Sequence, residues 1–472
     1  MHLPSYEQVT LTDHLPLHPR PRPQLTRAAM ALAALAITAA TAGAASSDPV
    51  VAWRETGWRL AAEERIQTLR QVPTTLTVLD ARGQPCEGVE VTWTMQAHSF
   101  GFGTAVNESA WQASTPSDPY RTHLRTLFNT VVLEHAMKWN PWEEAGPNRE
   151  EVESMLRQFT ADGQRLRGHT MVWQCTNFGA TFPRDLQERI VGPRTPEALA
   201  EIRRRAAEHI RNIGGHFRGR VHDWDVLNET TAWTSLTSFL TPGQGNVGSP
   251  DLVEWLRIAR SADPFSRLSI NDYDILVGDS PEHRATYDRT IGWLLSQGAP
   301  LGGIGFQGHF HSGALVSSPA DILARLDAFA RYGLPLAITE FDTFGGDWGS
   351  ATAEIEERQA LLLEGLLTLF FSHPSADQFL MWGFWDGAHW GGSAPLFRKD
   401  WTEKPGAHVW RSLIFDRWWT RRAVAVTDGA GRADATVFSG DYLVKLRCGS
   451  QATTSRIRIT RDAPTHTLVL PE

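Results

Sequence analysis

Between about Phe100 and Ile414 the chain alternates short apolar, β-prone runs with amphipathic stretches of helical period. Strands separated by helices cannot close as hairpins. They line up in parallel and bury both faces, which restricts this segment to a parallel βα architecture. The expected strands are Phe100–Val106, Asn129–Leu133, Arg167–Val172, Val221–Leu227, Leu268–Asn271, Gly303–Phe306, Leu336–Thr339 and Phe379–Phe384. Eight strands in a segment of this length suit a (β/α)8 barrel. An open doubly wound sheet is the alternative, but no G-x-G-x-x-G follows a first strand. Pro196 stands near one helix start with Gly214-Gly215 after it, and Pro319 opens another helix that Gly333 closes.

With 472 residues the chain exceeds one ordinary core, and its flanks read differently from its centre. Thr74–Val78 and Val89–Met95 are expected as strands around the turn Asp80–Pro85. Ala423–Thr427, Ala433–Phe438, Tyr442–Arg447 and Ser455–Thr460 are expected as strands after the barrel, broken by Asp428-Gly429 and Ser439-Gly440. Neither flank has enough strands to bury a sandwich core alone. The expectation is a TIM barrel inserted in, or flanked by, a small β-sandwich: halves over 47–99 and 416–472, with the barrel over 100–415. Gly83-Gln84-Pro85, with Thr427–Gly431 and Gly440-Asp441-Tyr442, resembles the halves of a prealbumin-like or Cna-B-like module. Trp53, Trp58, Trp418 and Trp419 either form a sugar platform on this module or pack it against the barrel.

Residues 1–46 have the pattern of an export segment. Arg20, Arg22 and Arg27 precede an Ala-rich apolar run to about Ala40, and Ala42-Gly43-Ala44 fits a small-residue cleavage site. The run is short for a membrane span, so a secreted or periplasmic protein without a stable span is expected. Cys86, Cys175 and Cys448 cannot all pair internally and match no zinc spacing, which leaves inert thiols or one disulfide. The net charge of −8 offers no basic surplus for nucleic acid.

Two of the apolar runs stop at a carboxylate: Trp224-Asp225-Val226-Leu227-Asn228-Glu229 and Leu334-Pro335-Leu336-Ala337-Ile338-Thr339-Glu340. Parallel strands deliver catalytic groups at the carboxyl end of a barrel, and two carboxylic acids in one cleft are the minimal equipment for cleaving a glycosidic bond. Other strand ends present polar and aromatic groups at period 2: His169, Met171 and Trp173; Gly305, Gln307, His309 and His311; Trp382, Phe384 and Asp386. Glu134, Lys138 and Trp139 follow the second strand. The 19 tryptophans favour a carbohydrate ligand, because flat amphipathic rings suit sugar faces. His309 and His311 share a strand face, but no third ligand has convincing spacing, so no metal is expected.

These motifs, together with Arg167–Trp173, Gly305–His309, Glu134–Trp139 and Ile270-Asn271-Asp272-Tyr273, resemble glycoside hydrolase family 10. Trp382 with Trp390 completes the resemblance, which covers the whole barrel in order. That family comprises retaining endo-β-1,4-xylanases on (β/α)8 barrels. The resemblance implies Glu229 as acid/base, Glu340 as nucleophile, and no cofactor. It implies that Asn228 holds the sugar 2-hydroxyl, that His309 orients the nucleophile, and that Gln307 lies beside that nucleophile. Glu134, Lys138, His169 and Trp173 would line the glycone side, Trp382 and Trp390 would wall the cleft, and Tyr273 would reach the aglycone side. Retention requires the two carboxyls about 5–5.5 Å apart, where mutual repulsion raises one pKa. His135 stands where the family has Asn, and Gln174 with Cys175 where it has His; both are expected near the glycone subsites. A monomer acting on xylan or a related β-1,4-glycan is the implied form. A β-1,4-glucanase on the same barrel and a non-catalytic carbohydrate-binding barrel are the alternatives.

Overall fold

The computed structural model describes residues 49–145, 149–176, 181–277, 280–311, 317–344 and 352–471. The expected export segment lies outside them. Among the described residues no helix is long and apolar enough to cross a membrane.

Two strands precede the barrel, β1 (Gln71–Leu79) and β2 (Glu90–His98). The barrel strands are β3 (Gly101–Val106), β4 (Thr130–Leu133), β5 (Arg165–Trp173), β6 (Asp223–Asn228), β7 (Arg267–Asp272), β8 (Gly303–Phe306), β10 (Leu336–Phe344) and β11 (Ala376–Met381), with a short β9 (His309–His311). Each pairs in parallel with its neighbour, and β11 pairs with both β10 and β3, so the sheet closes on itself. All six positions of β3 and of β6 are buried, as strands covered on both faces must be.

The helices follow their punctuation with one exception. Thr195 caps the helix Pro196–His216 by accepting from the Ala198 amide, and Ser318 with Asp321 forms a capping box on Pro319–Ala330. Gly333, with φ at +68°, follows that second helix as expected. Gly214-Gly215 does not end the first helix but lies inside it. A Cβ on Gly214 would sit 3.0 Å from the Ala262 Cβ, so close helix packing explains this glycine better than a stop.

After the barrel come β12 (Ala423–Val426), β13 (Arg432–Phe438), β14 (Gly440–Cys448), β15 (Gln451–Ile459) and β16 (Thr465–Val469). One sheet runs β13-β1-β16 and another β12-β2-β14-β15. Each sheet therefore takes one strand from before the barrel and the rest from after it. Val72, Leu76 and Val78 of β1, Val91 and Trp93 of β2, and Tyr442, Val444 and Leu446 of β14 are buried at period 2, the pattern of two facing sheets. No disulfide joins the cysteines; Cys175 is buried and Cys448 exposed.

The tryptophans outside the barrel are packing groups. Trp418 is fully buried and stacks on Phe371 with centroids 4.4 Å apart. His98 sits among Phe102, Phe371, Trp419 and Phe438, and burial pushes its pKa down to about 3. Trp53 is buried edge-on to Trp58 and lies over Gly365 of the helix Ala353–Ser372. A Cβ at 365 would come within 2.3 Å of the Trp53 ring. Gly365→Ala should therefore cost about 1–3 kcal/mol by urea unfolding, as overpacked cores do. The penalty should shrink in a Trp53→Ala background, and a penalty of equal size in both backgrounds would reject this contact as its cause.

Candidate active site

Glu229 follows directly on β6 and Glu340 lies within β10, and both rise at the carboxyl ends of the parallel strands. The Glu229 amide donates to the Asn271 carbonyl at 2.8 Å, while φ at 52° places this residue in the sparsely populated left-handed region. A non-glycine residue held there needs its surroundings to fix it, and such positions cluster at functional sites. The Glu340 run does not end its strand as expected. β10 continues to Phe344 because β9 offers Asp342–Phe344 a parallel partner.

The two carboxyls are held in opposite charge states. Burial raises the Glu229 pKa to about 7, assisted by the charges of Asp272 and then Glu340, against hydrogen bonds from Gln307 and Trp173. Desolvation, more than mutual repulsion, is thus the main cause. Burial pushes Glu340 the same way, but His169, His309 and Lys138 outweigh it and hold this carboxyl below the ordinary range. The environment separates a proton carrier from an anion, the division that acid and nucleophile roles require.

Hydrogen bonds fix both groups. Trp173 Nε1 donates to Glu229 Oε2 at 2.8 Å and Gln307 Nε2 to Glu229 Oε1 at 2.9 Å. Gln307 was expected beside the nucleophile; its side chain instead holds Glu229, while its carbonyl accepts from the Glu340 amide at 2.8 Å. It therefore links the two strand ends. Asn271 Nδ2 donates to Glu340 Oε1 at 2.7 Å and to Asn228 Oδ1 at 3.0 Å. Gly305 leaves room for this amide, since a Cβ there would stand 2.5 Å from Asn271 Oδ1. His309 Nε2 lies 3.4 Å from Glu340 Oε2, and its Nδ1 lies 2.8 Å from Asp342 Oδ1. Burial works against the charged ring, yet Asp342 and Glu340 raise its pKa to about 10, so His309 is an imidazolium at neutral pH. The side chain of His311 lies outside the described residues.

The remaining expected residues gather around this pair. His169 Nδ1 is 3.0 Å from Asp225 and 3.9 Å from Glu340 Oε1. Lys138 Nζ stands 5.2 Å above the Trp173 ring. Glu134, at the end of β4, accepts from Asn107 Nδ2 at 2.8 Å, and burial raises its pKa. Trp382 is 8% exposed and meets His169 edge-on, so it is nearer a floor than a wall. Trp390 is 47% exposed, beside His309, with Nε1 donating to Asp342 at 2.7 Å. Tyr273 turns its ring onto His283, centroids 4.9 Å apart.

Of the two departures, His135 is exposed next to Glu134, with its amide held by Glu108. Gln174 directly follows β5 and Trp173. It is buried, donates to Asn246 at 3.2 Å and accepts from the Thr237 amide at 2.8 Å, so it anchors the segment after β6. A neutral amide serves there because both partners are polar and buried.

Supporting residues went unrecognised in the sequence. Asp342, Asp225, Asp272 and Arg167 hold the site from beneath. Thr231 N donates to Asp272 Oδ2 at 2.9 Å. The period-2 relation of Asp342 to Glu340, and of Arg167 to His169, was the signal available.

A closed (β/α)8 barrel with two oppositely tuned carboxyls at its carboxyl rim is the frame of many glycoside hydrolases. The chain matches the family described as Glycosyl hydrolase family 10 over residues 92–412, and it belongs to that family. Curated relatives include the anti-sigma-I factor RsgI6 of Acetivibrio thermocellus, 29% identical over 85% of this chain and 48% of that protein. Endo-1,4-beta-xylanase C of Paenibacillus barcinonensis is 27% identical over 68% of this chain and 29% of that protein. The chain thus spans about half or less of these relatives' lengths. Among solved structures, a GH10 xylanase of Thermobacillus composti aligns with a TM-score of 0.53 and 28% identity, covering 66% of this chain and 97% of that one. Xylanase 10B of Thermotoga petrophila in complex with xylobiose aligns with a TM-score of 0.57 at 23% identity, over 68% and 95%, a likeness of fold.

Proposed function

We propose that the protein is a retaining endo-β-1,4-xylanase, and that the opposite protonation of Glu229 and Glu340 carries the chemistry. Protonated Glu229 gives its proton to the glycosidic oxygen as Glu340 attacks the anomeric carbon. The aglycone leaves and a glycosyl ester forms on Glu340. Esterification removes the negative charge of Glu340, so the Glu229 pKa falls and its proton, already given up, is not regained. Glu229 then takes a proton from water, whose oxygen attacks the same carbon and expels Glu340. In this reading Asn228, held by Asn271, bonds the sugar 2-hydroxyl. The His309 imidazolium, fixed by Asp342, holds Glu340 anionic before attack and again as it leaves the sugar when the ester is hydrolysed. Lys138, Trp173 and Glu134 offer charge, a flat face and an acceptor to the glycone sugars, and Trp390 offers an exposed ring. Residues 20–44 support export as part of this reading.

Reducing-sugar release from xylan, against carboxymethyl cellulose and mixed-link glucan, tests the substrate. Faster release from xylan is expected; turnover confined to the glucans would give the glucanase reading instead. The pH profile tests the protonation. Activity (kcat/KM) should fall as pH rises through about 7, where Glu229 loses its proton. The acid limb should lie below the ordinary carboxylate range, where Glu340 finally protonates. An alkaline limb well above pH 8 would contradict the state assigned to Glu229.

A further inference from the structure

Three backbone amides converge on two neighbouring residues at the end of β7. The Glu229 amide donates to the Asn271 carbonyl, and the Gln307 amide donates to the Asp272 carbonyl at 2.9 Å. The Thr231 amide donates to Asp272 Oδ2. The fully buried Asp272 carboxylate thus closes the turn that begins at the left-handed Glu229. Its carbonyl also holds the strand end whose Gln307 side chain bonds Glu229. A backbone in that region persists only where its surroundings over-determine it.

The second oxygen of Asp272 meets a histidine. Oδ1 accepts from the Tyr273 amide at 3.0 Å and lies 3.3 Å from His283 Nε2. That ring nitrogen is also 3.0 Å from the Tyr273 carbonyl, which can only accept, so it carries a hydrogen in either charge state. His283 comes from the first turn of the helix Pro281–Ser296, where Ser280 accepts from its amide at 3.2 Å. Its ring also packs on that of Tyr273.

Among the described residues, the charged groups facing His283 are Asp272 and Asp274, and those facing Glu229 are Asp272, Glu340 and Lys138. The Tyr287 phenol, kept protonated by burial, also lies beside Asp272. Burial works against a charged His283, yet its bond to Asp272 and the charges of Asp272 and Asp274 lift its pKa above the ordinary imidazole value. A cationic ring offsets part of the Asp272 charge that bears on Glu229, and a neutral ring leaves it whole.

We propose that His283 is a positioning residue for the proton donor: through Asp272 it fixes the turn that carries Glu229 and sets how much negative charge Glu229 meets. The role rests on the glycanase reading above.

The test reads the pH dependence of kcat/KM for xylotetraose and for a dinitrophenyl β-xylobioside, in the native protein and in His283→Gln and His283→Lys. Gln keeps a donor toward Asp272 without a charge, whereas Lys fixes the charge there. On xylotetraose the alkaline limb reports the Glu229 proton. It should lie about half a pH unit higher in the Gln variant than in the Lys variant, with the native protein between them. Dinitrophenolate leaves without a proton, so its profile should lack this limb in all of these proteins. Asp272→Asn keeps an acceptor for the Thr231 amide but loses the charge; it should also lower the limb, and it serves if the Lys variant fails to fold. Coincident limbs, a reversed order, or an equal shift on the dinitrophenyl substrate would overturn the role of His283, while native turnover of xylotetraose kept the glycanase reading. Absence of native turnover on both substrates would instead remove that reading, and the role of His283 with it.

Discussion

Glu340→Ala is expected to lower kcat on an aryl β-xylobioside by about 10⁵-fold, the order found when an enzyme loses its nucleophile. That corresponds to roughly 7 kcal/mol of barrier. The substitution removes the only group placed to form the glycosyl ester in this scheme, while Glu229, Asn228 and His309 remain. The fold should tolerate it, because Asn271 retains its bond to Asn228 and His309 retains Asp342. The deletion leaves room beside the anomeric carbon, so azide should enter, attack from the face Glu340 used, and release the phenol. One displacement replaces two, so the product is the α-glycosyl azide. Undiminished hydrolysis, or an azide product of retained configuration, would take the nucleophile role away from Glu340.

The largest loss of stability is expected at a residue that touches no sugar. Arg167 is 1% exposed inside the barrel; its Nη1 donates to Asp223 at 2.6 Å, and its Nη2 and Nε donate to Asp225. Burial alone would lower the Arg167 pKa, but Asp223 and Asp225 raise it, and burial's upward push on Asp223 is outweighed by Arg167 and Arg267. Arg167→Met leaves buried carboxylates short of a counter-charge, a change worth about 3–5 kcal/mol in other proteins. The native Asp223 pKa is depressed, so its contribution to stability is present above the unfolded value and lost as pH falls through the folded one. In the variant the buried carboxyls should titrate upward instead, so the deficit should be greatest at neutral pH and narrow as the solution is acidified. Urea midpoints of both proteins between pH 4 and 7.5 check this. A deficit that widens toward acid, or none at all, would reject the charge account. Asp225 also orients His169, so activity should fall alongside stability.

The barrel was legible because parallel strands buried on both faces are written as continuous apolar runs, and two of those runs stopped near Glu229 and Glu340. The eighth strand was the exception. It is Ala376–Met381 rather than Phe379–Phe384, since Gln378 faces the polar base of the barrel and donates to Asp223 at 2.9 Å. A strand that begins with Ala-Asp-Gln does not show its start to a hydrophobicity count. β16 was missed for a related reason: Thr465 and Thr467 alternate with half-buried residues at a sheet edge, and little in that run distinguishes it from a loop. The pairing of the two flanks was inferable from the shortage of strands on each side. The polar second layer, Asp342, Asp225, Asp272 and Asn271, was hidden in the motifs themselves. Asp342 and Asn271 sit one strand period from Glu340 and Tyr273, Asp225 and Asp272 do not, and only the closed barrel shows which of them share a partner. Gln174 is a position whose partners its motif did not show. Motif position suggested the cleft, whereas its two amide bonds turn it toward the Ser235–Leu240 helix.

The most direct measurement is to trap the intermediate. A xylobioside with fluorine at C2 of the reacting sugar and a good leaving group should form its ester quickly and hydrolyse it slowly, since fluorine destabilises both oxocarbenium-like transition states while the leaving group offsets only the first. Intact mass should rise by one glycosyl unit, and peptide mapping should place that mass on Glu340. An adduct on any other carboxylate, or steady turnover with no adduct and an α-anomer as first product, would contradict double displacement through this pair.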